Sequence, residues 1–232
     1  VQCLPFKRSV NRLCPNLPAP AQCEQINAIS AFVDGSLLYG SSDEELDRLR
    51  THQDGLMKSD GAPAGTERLP KLLNSATQAT EFTAGDVRAR QNAELISLHT
   101  LWLREHNRLA REIKGASRSN DDEFLFQNAR RLLIAILQNV VFGEYLPAAL
   151  GRNFLPVDKK GRTIYDPNVD ASIRNEFSTF AFRFGHSLIS GRTNGDQRLS
   201  QNFFNDVPYE TAVGPDGLLK KATDQGSCRN PD

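Results

Sequence analysis

The chain has 232 residues with Lys plus Arg equal to Asp plus Glu at 28 each, so no net field draws it to nucleic acid or to an anionic membrane surface. That length can bury a real core in one domain or two. The longest apolar run, Leu132 to Leu137 extended by Val140 to Phe142, is broken by Gln138 and Asn139 and reads as too short for a membrane span, so a soluble chain is expected. It does not begin with Met and shows no basic-then-apolar leader, which fits a removed signal or an excised piece.

Cys3, Cys14 and Cys23 crowd the N-terminus among Pro5, Pro15, Pro18 and Pro20, and Cys228 stands alone near the other end. This pattern predicts a disulfide-pinned surface segment over 1–24 and a secreted, extracellular protein. No zinc-like spacing and no nearby His accompanies it. Cys14 with Cys23 is the favoured pair; Cys3 and Cys228 then bond each other or partners outside the chain.

Periodicity predicts a helix over 25–38, with Ile26, Ile29, Val33 and Leu37 on one face. Within it, Ser30, Asp34 and Ser36 fall on one alternating frame beside Gly35, which fits either a plain turn or a loop that offers oxygens to calcium. Ser42 and Glu45 have the form of a capping box opening a short helix to Arg50. From Thr51 to Glu81 periodicity is lost, glycines and prolines punctuate the chain, and a long connection is expected with His52 solvated.

A turn over 84–92 leads into a helix from Ala93 to Ile113 with Leu95, Leu98, Trp102, Leu109 and Ile113 as its apolar stripe. Its end, Arg104 to Arg108, has the composition of a buried hydrogen-bond cluster, and His99 and His106 read as structural. Arg88, in the turn, is either a solvent-facing ion pair or a fixed cation at a pocket edge. A second helix over 122–142 begins with acidic residues suited to its positive end and offers Leu132, Leu133, Ile136, Leu137 and Val140 as a deeply buried flank. A short helix near 145–150 ends at Gly151, and 153–168 is a polar connection.

The next helix is expected from Asp170 or Ala171, with Ile173, Phe177, Phe180, Phe184 and Leu188 on one face. His186 lies off that stripe, in a row with Phe182 and Ile189, and Gly185 clears the space next to it. A packed core histidine and an axial ligand of an iron porphyrin both fit. Beyond it come a turn at Asn194-Gly195-Asp196, an apolar anchor over 199–204 and a tail over 205–232 rich in Gly, Pro and charge. The fold class is mainly α, with a helical core over 25–190, long wrapped loops and little strand.

Taken together, several runs resemble the animal haem peroxidases. They are the Cys-x-Pro-Phe start, Gln25 to Ala28 leading into Phe32-Val33-Asp34-Gly35-Ser36 and Tyr39-Gly40-Ser41, Ala84-Gly85-Asp86-Val87-Arg88, Leu98 to Ala110, Tyr145-Leu146-Pro147, and Phe182-Arg183-Phe184-Gly185-His186. Their order also fits, over most of the chain. The resemblance implies b-type haem with His186 as proximal iron ligand, Arg88 as the distal arginine that polarises peroxide, and Gln91 at the haem edge. It implies a structural calcium held by Ser30, Phe32 through its carbonyl, Asp34 and Ser36. The implied activity is reduction of hydrogen peroxide with oxidation of a halide, thiocyanate or aromatic donor.

The family's distal histidine and the aspartate that completes its calcium shell lie upstream of the Cys-x-Pro-Phe segment, and its proximal asparagine lies on a later helix. Residues 1–232 thus read as the central part of a peroxidase domain, inactive without the remaining parts. Gln91 stands where ester-linked members have glutamate, and an amide cannot form that ester. The other reading is a catalytically inactive adhesion or matrix-interaction module.

Overall fold

The computed structural model describes residues 26–74, 78–151, 154, 166–193, 197–210 and 214–224. All four cysteines, the segment 1–24 expected to be disulfide-pinned, the turn expected at Asn194 to Asp196 and most of the 153–168 connection lie outside the described residues.

The helix expected over 25–38 is not formed. Residues 26–35 run as bends, and only Ser36–Tyr39 is helical (α1). Short polar side chains capture the backbone first: Phe32 N–H donates to Ser30 Oγ, and Ser36 N–H to Asp34 Oδ1. Gly35 then takes a left-handed φ of 74°, which no helix continues through. Helix α2 (Asp43–Leu49) opens as the capping box predicts, with Ser42 Oγ accepting from Glu45 N–H. Glu45 returns the bond one residue early, to Ser41 N–H.

The connection over 51–81 is more ordered than its composition suggests. Arg50 and Met57 form a bridge, and strands β1 (Lys71–Leu73) and β2 (Thr80–Phe82) pair antiparallel. Met57, Leu69 and Phe82 are buried in the core. The Asn107 side chain accepts from Met57 N–H and donates to Met57 O, standing in for a strand neighbour. His52 stays exposed beside Asp47, as expected.

Helices α3 (Ala93–Ser117) and α4 (Asp122–Val140) carry the core. Asn92 and Asp121 cap them, accepting from Leu95 and Phe124 N–H. The buried face of α3 is only partly the expected stripe: Leu109 is buried and Trp102 and Ile113 pack against the core, but Leu98 is 43% exposed, and Ile96, His99, Thr100, Leu103, His106 and Ala110 complete the buried face. Small and polar residues hid this face from an apolar count. Ser97 and Thr100 bury their hydroxyls by donating to Ala93 O and Ile96 O one turn back. On α4 the buried row is Leu125, Phe126, Ala129, Leu133 and Leu137, while Leu132, Ile136 and Val140 are exposed. The expected deep flank is half right, because the helix meets the core along one narrow face.

From Val140 the chain passes through a π-helical turn (Val141–Tyr145) into α5 (Leu146–Leu150), which Gly151 ends at φ 88°. Asp122–Leu150 is therefore one helical run of 29 residues, long and apolar enough to cross a membrane by length and composition. That corrects the expectation of a run too short to span. Its first half is committed to the protein core through the residues just named.

The single helix expected through His186 is two pieces, α6 (Asn175–Thr179) and a 3₁₀ helix (Ala181–Leu188), broken at Phe180. Its stripe is not buried; Phe180 is 83% exposed, and Ile173, Phe177, Phe184 and Leu188 are exposed too. Phe177 and Phe182 instead stack on each other, with ring centroids 5.2 Å apart. Strands β3 (Arg192–Thr193) and β4 (Gln197–Arg198) form a small hairpin. Helical structure does not stop there. Helices α7 (Val207–Glu210) and α8 (Gly214–Asp224) lie in the segment read as a tail, and Leu218 and Tyr209 reach the core. Tyr209 Oη accepts from Leu69 N–H and bonds Thr100 Oγ1, joining the C-terminal part to the segment just before β1 and to α3.

Candidate functional site

Arg88 sits in a tight turn just before α3. Arg88 N–H donates to Asp86 Oδ1 at 2.8 Å, Ala89 N–H to Asp86 O, and Gln91 N–H to Arg88 O. Buried Ala89 and Ala93 anchor the turn from below. The guanidinium is gripped twice by one carboxylate, Nε to Asp86 Oδ1 at 2.9 Å and Nη2 to Asp86 Oδ2 at 2.6 Å. Its side chain is 59% exposed while that of Asp86 is 13% exposed, so the cation faces outward from a half-buried anchor. The hydrogen bond from Arg88 holds the Asp86 carboxyl below the usual carboxylate range and raises Arg88 in turn.

The turn is wedged onto α1. Asp86 N–H donates to Leu37 O, and a Cβ on Gly85 would lie 2.0 Å from Gly40 N and 2.5 Å from Ser36 O. Only glycine permits that approach. On its other side the turn meets the segment that follows the β3–β4 hairpin: Phe204 N–H donates to Gln91 O, and Arg90 pairs with Glu81 and Asp206. The Gln91 residue is half-buried at this junction.

The candidate calcium loop leads directly into α1. Ser30 Oγ donates to Asp34 Oδ2 at 2.5 Å, so the hydroxyl and carboxylate already meet in one place. Phe32 turns its ring to solvent, and Ser36 opens the helix with its N–H on Asp34 Oδ1. Among the described residues no three His, Cys, Asp or Glu side chains gather, so a cation here would draw on hydroxyl and carbonyl oxygens beside Asp34.

His186 is exposed on the 3₁₀ helix, and among the described residues its imidazole has no hydrogen-bond partner. A Cβ at Gly185 would meet nothing within 4 Å, so the cleared flank is open space. The packed core histidine expected as one alternative is therefore not what the structure shows. No described side-chain contact joins His186 to Arg88; chain connection through Phe204 and Asp206 links the two regions.

The two histidines of α3, read as structural from the sequence, are both buried. The Nε2–H of His106 donates to Gly55 O, which leaves Nδ1 to accept from the Tyr39 hydroxyl at 2.8 Å. Burial lowers its pKa from 6.5 to about 4. His99 donates through Nδ1–H to Leu95 O, its Nε2 is buried without a partner among the described residues, and burial lowers its pKa too. Sequence reasoning named the run containing Asp86 but gave that residue no part. The signal was there, because Asp two residues before a basic residue is the spacing of an Asx turn.

The family model for animal haem peroxidases matches residues 1–225. Peroxidase mlt-7 of Caenorhabditis elegans is 40% identical over 194 residues, which are 81% of this chain and 26% of that protein. Human myeloperoxidase is 39% identical over 206 residues, again 81% of this chain and 26% of that protein. The solved structure of peroxidase A from Dictyostelium discoideum superposes with a TM-score of 0.71 at 35% identity, covering 84% of this chain and 41% of that one. The chain belongs to the animal haem peroxidase family. It spans well under half the length of these relatives.

Proposed function

We propose that this chain forms part of a secreted haem peroxidase that reduces hydrogen peroxide and oxidises a halide, thiocyanate or aromatic donor. The observation that carries the reading is the outward-facing Arg88 guanidinium gripped by the half-buried Asp86 carboxylate, in a chain of this family. Haem, when bound, supplies the two-electron reduction of peroxide. His186 would hold the haem iron through its unpartnered imidazole, and open space next to Gly185 would admit a planar group. Arg88 would place a positive charge where negative charge develops on peroxide oxygen. Gln91 would lie close to the haem, where an amide forms no ester. Ser30, Asp34, Ser36 and the Phe32 carbonyl hold calcium, which braces α1 and the turn resting on it. The remaining parts of the domain supply the acid/base group, a contribution of about 10²- to 10⁴-fold.

The test is haem reconstitution of the polypeptide bearing the whole domain. A Soret band is expected, with peroxide-dependent oxidation of iodide or guaiacol, and His186→Ala should remove the band. A protein with no Soret band sinks the haem reading. Gln91, an amide where ester-linked members carry glutamate, favours a second reading, an adhesion or matrix-interaction module without catalysis. A haem-loaded but inert protein would decide for that one.

A further inference from the structure

We propose that Asp86 is the positioning residue for Arg88, and that it takes its own position from α1 through the glycine contact at Gly85. The inference rests on the reading of Arg88 as the peroxide-facing cation. An arginine on a turn has many rotamers, and only a fixed one places charge where a bond breaks. Asp86 fixes it from three directions, accepting Arg88 N–H, Nε–H and Nη2–H on one carboxylate. The carboxylate is itself placed by backbone: Asp86 N–H is bonded to Leu37 O, and Gly85 sits against Gly40 N and Ser36 O at a distance that excludes any side chain. Helix α1 begins at Ser36, where the Ser30–Ser36 loop ends. Order in that loop therefore passes to the guanidinium through one short helix, one glycine and one carboxylate. Neither Asp86 nor Gly85 needs to touch peroxide or haem.

The test has two readouts. In the polypeptide bearing the whole domain, labelled with ¹⁵N-arginine, the Arg88 Nε–H, assigned by its loss in Arg88→Lys, should exchange slowly with solvent. Asp86→Asn, which keeps the shape and removes the charge, should speed that exchange about tenfold, and Asp86→Ala more. Gly85→Ala should speed it as well, with the carboxylate intact. Unchanged exchange in both Asp86 variants overturns the clamp, and unchanged exchange in Gly85→Ala overturns the link to α1.

The second readout is the rate at which peroxide perturbs the Soret band of the haem-loaded protein. Asp86→Asn should slow it about 10- to 100-fold with haem content and band position kept. If Arg88→Gln slows the reaction and Asp86→Asn does not, the positioning inference fails. If Arg88→Gln itself has no effect, the failure belongs to the peroxidase reading of Arg88, and the exchange experiment still decides the clamp.

Discussion

His106 is neutral in the fold because both ring nitrogens are committed, Nε2–H to Gly55 O and Nδ1 to the Tyr39 hydroxyl, with no room for water. Its pKa of about 4 lies below the ordinary 6.5, so the unfolded chain takes up a proton first as pH falls. The associated stability is complete above pH 6.5 and is lost as pH drops toward about 4, a change worth about 3 kcal/mol. Urea unfolding at pH 7.5 and 4.5 checks this, and His106→Gln should flatten the dependence. Gln91 makes a second residue-scale prediction on the proposed reading. Replacing it with Glu restores the carboxylate an ester needs, so haem should resist acidic organic extraction from Gln91→Glu after exposure to peroxide, whereas the parent protein releases it.

At the scale of elements, the connection between α2 and β1 serves the N-terminal end of α4. Gly55 N–H donates to Asp122 Oδ1, its carbonyl takes the His106 proton, and its φ is +69°. An added Cβ would lie 2.6 Å from Phe126 N and 2.7 Å from Leu125 Cβ. Gly55→Ala should therefore cost about 2–4 kcal/mol in denaturant unfolding. The parts of the fold set by neighbours in sequence were legible: the caps at Ser42, Asn92 and Asp121 and the stop at Gly151. The buried face of α3 was not, because Ser97, Thr100 and Asn107 are polar by type and apolar by behaviour once bonded. Residues 26–35 carry a helical pattern that Ser30, Asp34 and Gly35 override locally. At the candidate site, Arg88 and His186 stand in motifs that carry the family resemblance, while the Asp86 grip depends on α1 and had no periodicity to announce it.

Across the whole molecule, apolar residues are distributed unequally. The core closes around α3, α4, α7, α8 and the β1–β2 hairpin, yet Phe180, Phe182, Phe184, Leu188 and Ile189 stand exposed around His186. Leu132, Ile136, Val140, Phe142 and Leu150 are exposed along the long helical run. So much accessible apolar side chain marks surface meant to be covered. On the proposed reading, the remaining parts of the peroxidase domain cover it. Produced by itself, the chain should self-associate in light scattering and bind an apolar dye. The double variant Phe180→Asp, Phe184→Asp should reduce both without changing helix content.

The docking of Phe204 and Asp206 on the Arg88 turn sets a timetable for synthesis. The Arg90–Asp206 pair joins positions 116 residues apart, and Phe204 N–H reaches back to Gln91 O. Helices α3 and α4 are neighbours in sequence and can meet early in translation, whereas the turn holding Arg88 gains its last contacts only after the ribosome has released residue 206. On the proposed reading, the charge that faces peroxide is among the last features of the chain to be set.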